Sequence, residues 1–227
     1  MNIAGKCEPI TDRLDSFVDA GFENMELYLT TEMLEDGPED VIANCDASRA
    51  NIASVHTPHL NFDTDTLAYH RIADDIAVAL DATLVLDSFP IATRDLPKLI
   101  RPDTLNAPTF GYENNPGFSA FYTRVNQLEQ GIPLVFDTAH MHMSESSYLD
   151  FVADIFTTYD KTMLPVVHLA DGIETKDGLA FGTGTIDLPA IIKIMHVTEY
   201  AGTIVLEVDQ SDQPAALDYV HTVLDSL

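Results

Sequence analysis

The chain has 227 residues, 46% of them hydrophobic, with 37 acidic side chains against 11 basic ones and a formal charge of -26. That length and apolar content suit one sizeable core and a single domain over residues 1–227, and they argue against a disordered chain. The charge argues against nucleic acid and anionic membranes as partners, and no apolar run approaches the ~18 residues of a membrane span.

Asn2-Ile3-Ala4 opens as a first strand. Ile10, Leu14, Phe17 and Val18 follow at helical spacing, and Gly21 stops that helix. Met25 to Leu29 reads as a second strand. Met33 and Leu34, then Val41, Ile42 and Cys45, mark helix interrupted by Gly37-Pro38. Ile52 to Val55 is a third strand, ending at His56-Thr-Pro-His59. Asp65 is placed to cap a helix whose apolar face is Tyr69, Ile72, Ile76 and Leu80. Leu84-Val85-Leu86 is a fourth strand, ending at Asp87. From Ser88 to Ala107 the pattern is weak, with prolines at 90, 97 and 102, and a short helix and a loop are expected.

Thr109 to Tyr112 leads to Glu113 as a fifth strand, and Phe118, Phe121, Tyr122 and Val125 form a helix face. Pro133 to Phe136 is a buried sixth strand, ending at Asp137, with His140 one turn on. Leu149, Val152, Ala153 and Phe156 mark the next helix. Leu164 to Val167 is a seventh strand, ending at His168. Asp187 caps a helix with Leu188, Ile191, Ile192 and Met195 inward. Thr203 to Leu206 is an eighth strand, ending at Glu207, and Leu217, Val220, Leu224 and Leu227 close the chain as helix.

Eight strand-helix units in about 250 residues is the arithmetic of an α/β (β/α)8 TIM barrel. A doubly wound sheet would carry a Gly-rich phosphate turn after its first strand, which Ile3-Ala-Gly5-Lys-Cys does not supply. In a barrel all strand ends face one mouth. Glu113, Asp137, His168 and Glu207, from four consecutive strands, would then converge on one divalent ion. Three carboxylates and an imidazole favour Mn2+, Mg2+ or Co2+, with Zn2+ a further choice, over a thiolate site. Taken singly, each acidic residue also reads as a helix cap and His168 as a satisfied buried histidine. His70, His196 and His221 lie inside helix patterns and receive no role.

The chain resembles the xylose-isomerase-like barrels, a superfamily of sugar isomerases, ketose 3-epimerases, hydroxypyruvate isomerases, inosose dehydratases and abasic-site endonucleases. The matching pieces are Val55-His56-Thr-Pro, Tyr112-Glu113-Asn-Asn, Phe136-Asp137-Thr-Ala-His140, Val167-His168-Leu-Ala-Asp171, Gly182-Thr-Gly184-Thr-Ile-Asp187 and Leu206-Glu207. The resemblance implies a metal held by Glu113, Asp137, His168 and Glu207. It also implies that Glu113 and Glu207 move protons through an enediolate, acting on a small sugar or hydroxy-carbonyl compound. Substrate contacts are expected from His56, His59, His140 and Lys176. An inosose-type dehydratase and a non-catalytic sugar- or metal-binding barrel are the alternatives. Asp87 at the fourth strand, and Asp177-Gly-Leu-Ala-Phe181 without an Asp-x-His, argue against a three-zinc nuclease.

Cys7 and Cys45 form no CxxC pair and are expected as free thiols in a reducing cytosol. No signal peptide is visible, so a cytoplasmic location is expected. The evenly spread acidity is expected to be a solvated surface suited to a high-salt, halophilic cytoplasm, where the Debye length falls to about 3 Å. A homodimer or homotetramer is expected from the resemblance.

Overall fold

The computed structural model describes residues 1–59, 66–87 and 105–227. Strands β1 (Asn2–Cys7), β2 (Asn24–Tyr28), β3 (Asn51–His56), β4 (Thr83–Leu86), β5 (Phe110–Glu113), β6 (Leu134–Asp137) and β7 (Val166–Leu169) lie side by side in chain order. A small antiparallel hairpin follows, made of β8 (Asp171–Ile173) and β9 (Lys176–Leu179). Strand β10 (Thr203–Leu206) then pairs with both β7 and β1 and closes an eight-stranded, all-parallel barrel. Among the described residues the helices are α1 (Thr11–Asp19), α2 (Thr31–Leu34), α3 (Glu39–Ala47), α4 (Thr66–Ala79), α5 (Ala120–Asn126), α6 (Thr138–Ser144), α7 (Tyr148–Thr158), α8 (Leu188–Val197) and α9 (Gln213–Asp225).

The expected (β/α)8 barrel is therefore the fold, with several local differences. The fifth, sixth and seventh strands run one or two residues further than the apolar runs indicate, so Glu113, Asp137 and His168 lie within strands. Helix α6 and the β8–β9 hairpin were not expected. Neither carries the apolar period that marks a core element: Thr138-Ala-His-Met-His-Met mixes both kinds, and the hairpin is mostly exposed. The Asp65 cap, and most of the segment expected as helix and loop after the fourth strand, lie outside the described residues.

Two apolar layers hold the barrel. Outward-facing side chains pack under the helices. Leu134 and Phe136 are fully buried there, and the Phe136 ring lies 6.2 Å from the rings of both Phe151 and Phe156 on α7. The inner layer is small: Ala4, Val85, Val135, Val166 and Val205, one from each of five strands. Gly111 leaves space for it, since a Cβ there would lie 2.9 Å from Val135 Cγ2.

The site is built on that inner layer. Side chains alternate across a strand, so residues two apart point the same way. Two residues beyond Ala4, Val85, Val135, Val166 and Val205 come Lys6, Asp87, Asp137, His168 and Glu207. An apolar plug thus closes the barrel floor, and an ionisable ring lies directly above it, at the C-terminal strand ends where such barrels keep their chemistry.

Candidate metal centre and active site

Ligand atoms of Glu113, Asp137, His168 and Glu207 all lie within 4.8 Å of one another. Strand order explains why four residues distant in sequence meet. Strands β5, β6, β7 and β10 are neighbours, and register sets Asp137 beside His168. Glu113, Asp137 and Glu207 help line a cavity of about 500 Å³ at the barrel mouth, together with Lys6, His59, His140 and Asp177.

Each side chain is held from behind. Asp137 caps α6, its Oδ1 accepting from the His140 backbone N–H at 2.6 Å, which occupies one of its two carboxylate oxygens. The Asn114 amide clamps the Asp137 backbone: its Oδ1 accepts from Asp137 N at 2.7 Å, and its Nδ2 donates to Asp137 O at 3.0 Å. Thus capping α6 leaves Asp137 a second carboxylate oxygen that could serve as a ligand. His168 Nδ1 lies 2.7 Å from Glu113 Oε1 and 2.9 Å from Glu207 Oε2. The Nδ1 hydrogen bond goes to Glu113, and Glu207 Oε2 is left buried with no hydrogen bond. Lys6 Nζ holds the other oxygen, Oε1, at 2.7 Å.

Electrostatics follow from this crowding. Burial raises the Asp137 carboxyl to about 7; His140 opposes the rise, while Glu207 and Glu113 reinforce it. Burial also works against charge on Glu113 and Glu207. His168 nevertheless holds Glu113 well below the carboxylate range, and Lys6 with His168 does the same for Glu207. Burial would depress His168, but Glu207 and Glu26 keep it well above its ordinary value. Burial would likewise depress His140, and Asp137 with Asp177 raises it to about 10.

The residues fit a divalent ion. Three carboxylates this close, Glu113 and Asp137 buried and Glu207 partly exposed, repel one another, and an oxygen without a hydrogen-bond donor, Glu207 Oε2, faces the same point. A hard cation satisfies both. His140 stands at the rim, Nδ1 donating to Asn114 O at 2.8 Å and Nε2 lying 3.3 Å from Asp177 Oδ2. His59 lines the mouth and pairs with Asp87 at 2.9 Å. His56 is buried below the cavity lining, with Nε2 3.3 Å from Glu113 Oε2 and Nδ1 donating to Thr57 O. Lys176 is exposed on β9 and is not among the lining residues; its neighbour Asp177 reaches the mouth instead.

Sequence reasoning gave no role to Lys6, Glu26 or Asp171, although Asp171 stands in one of the matching motifs. Glu26 is fully buried inside the barrel, 3.1 Å from Lys6 Nζ. Its signal was a single charge inside the apolar run Met25-Glu26-Leu27. Buried Asp171 accepts from the backbone N–H groups of Gly182 and Gly184 at 2.8 and 3.0 Å, fixing the Gly-Thr-Gly turn. A Cβ at Gly184 would collide with its carboxylate.

Residues 106–225 match the xylose isomerase-like TIM barrel family. No curated protein matches the chain. Solved structures resemble it over almost their whole length. They include the E. coli 3-keto-D-glucoside 4-epimerase YcjR (15% identity, 98% of this chain and 99% of that one, TM-score 0.71). A D-tagatose 3-epimerase-like protein matches at 15% identity, over 100% and 99%, with TM-score 0.73. The IOLI protein, solved with a zinc atom, matches at 14% identity, over 100% and 99%, with TM-score 0.67.

Proposed function

The chain belongs to the xylose isomerase-like TIM barrel family, and we propose that it is a divalent-metal-dependent isomerase or epimerase of a small sugar or hydroxy-carbonyl compound. A fold of this kind hosts several chemistries, so the reading rests on the site. The observation that carries it is the convergence of Glu113, Asp137, His168 and Glu207 within 4.8 Å, with two of the four being glutamates.

These four would hold the ion. When bound, it supplies positive charge against the negative charge that develops on a carbonyl oxygen as the neighbouring C–H proton leaves. The chain's own residues do the rest. Glu113 ends β5 and Glu207 follows directly on β10, with β6 and β7 between them, and so they approach a bound substrate from different sides. Both are held ionised at neutral pH, and each can accept a proton. One removes the proton next to the carbonyl to give an enediolate and later releases it to solvent; the other, first protonated from solvent, delivers that proton to the planar carbon. His140, fixed by the Asn114 carbonyl, presents Nε2 to the mouth to bind a substrate hydroxyl. The structural relatives named above as epimerases support this class of reaction.

The test is a panel of ketoses and hydroxy-ketones incubated in D2O with Mn2+ in molar salt. Deuterium should appear at the carbon next to the carbonyl, together with an isomer. Glu113→Gln and Glu207→Gln should each lose the exchange. Loss of water in place of an isomer would make the protein a lyase. Metal binding with no exchange from any compound would leave a binding barrel.

A further inference from the structure

Below the ligand set lies a second layer that the proposed chemistry does not use. Glu26 on β2 and His168 on β7 are fully buried. Both Glu26 oxygens face His168 Nε2, at 3.2 and 3.3 Å. Ser54 Oγ donates to Glu26 Oε2 at 2.7 Å. Lys6 Nζ spans Glu26 Oε1 at 3.1 Å and Glu207 Oε1 at 2.7 Å. The four side chains close a loop: Glu26 to His168, His168 to Glu207, Glu207 to Lys6, Lys6 back to Glu26.

A carboxylate buried to this degree is costly unless its charge is matched and its oxygens bonded. A fold needing only a packed core would place an apolar residue there. The loop has a definite consequence for two of the four ligands. Glu26 accepts from Nε2–H, so Nδ1 is the nitrogen whose lone pair can face an ion. Lys6 takes Oε1 of Glu207, so Oε2 is the oxygen turned toward the same point.

We propose, taking the ion-binding reading above as its basis, that Glu26 and Lys6 are positioning residues. They select His168 Nδ1 and Glu207 Oε2 as the atoms offered to the ion and fix the ring and the carboxylate in place. The carboxylate–histidine–metal arrangement is the general physical precedent. Glu26, His56 and His168 also bring ligand-type atoms within 4.8 Å of one another. A second ion there is disfavoured, because the Lys6 ammonium already sits against Glu26 and His168 Nε2 is already bonded.

The experiment titrates chelator-treated protein with Co2+ in molar salt, reading affinity, stoichiometry and the visible spectrum. Glu26→Gln removes the charge while keeping the shape. Lys6→Met with Glu26→Gln removes both charges of that pair together, leaving Glu207 with His168 as its charged partner. Circular dichroism checks that each variant folds. Both variants should bind Co2+ about 10–100-fold more weakly than the parent chain. Their spectra should also change, because the ligand atoms are no longer fixed, which a purely structural role would not produce. Folded variants that bind within twofold and give the parent spectrum overturn the positioning role while leaving the ion site intact. Two ions per parent chain, falling to one in Glu26→Gln, would make Glu26 a ligand and overturn it as well. A parent chain that binds no Co2+ removes the ion reading itself.

Discussion

Truncating Phe136 to Ala tests whether β6 is the central strand on which the site depends. Phe136 is fully buried, with its ring 6.2 Å from those of Phe151 and Phe156. Removing a buried phenylalanine side chain costs about 3–5 kcal/mol, combining lost transfer energy with the cavity left behind. The upper half of that range is expected. The cavity would lie between a strand paired on both sides and a helix packed through two further aromatic residues, and neither can easily move in. Each aromatic pair also contributes about 0.5–1.5 kcal/mol beyond its area. Urea unfolding in molar salt, with the same metal content in both samples, gives the loss from the shift in midpoint at constant slope. A loss below about 1 kcal/mol would mean that the segment is not a core strand, and the placement of Asp137 next to it would fall too.

Metal affinity should rise with pH, most steeply below about 7 where both Asp137 and His168 hold protons, and less steeply above it where His168 alone still does. The ion needs Asp137 ionised and His168 Nδ1 free of its proton, and both groups hold protons in the metal-free site, so binding releases protons. Below pH 7 the affinity should change about tenfold per pH unit for each proton released, measurable by calorimetry in buffers of different ionisation enthalpy. In the metal-free protein, the raised Asp137 value means that the native state keeps a proton the unfolded chain has lost. Its contribution is present below about pH 4 and disappears as pH rises toward about 7. Glu113 and Glu207, held low, act in the opposite sense and lose their contribution as pH falls through the acid range. His140→Ala should leave metal affinity nearly unchanged and lower turnover roughly 10–100-fold, the scale of one lost buried hydrogen bond at ~1–3 kcal/mol. Metal loss equal to that of Glu207→Gln would place His140 among the ligands. With a charge of -26, the melting temperature should climb between dilute buffer and molar salt as self-repulsion is screened; equal stability in both would refute a high-salt adaptation.

The barrel was legible because its strands are short apolar runs separated by helical periods, and because no glycine-rich turn offered an open-sheet reading. The four candidate ligands were legible because each follows or ends such a run. What escaped sits inside strands. Lys6 lies beyond the recognised first strand, which ends at Ala4 by apolarity and at Cys7 by backbone pairing. Glu26 lies mid-strand, where a charge reads as an outward residue unless the strand is known to line a closed barrel. Closure decides it, since register places Glu26 beside Lys6 and Ser54. Lys176 is expected near the substrate only from the family resemblance; it is exposed on β9, and its neighbour Asp177 lines the mouth.

The most direct test of the metal site is thermal unfolding of the parent chain and Asp137→Ala, each with chelator and with Mn2+, alongside elemental analysis of dialysed protein. A filled site stabilises by mass action, about 2.7 kcal/mol when free ion is at a hundred times its dissociation constant. The parent chain should bind one ion, melt lower in chelator and recover with Mn2+, while Asp137→Ala shows no such response. A parent chain whose melting temperature ignores both chelator and Mn2+, or one that retains three zinc ions, would contradict the single-ion site.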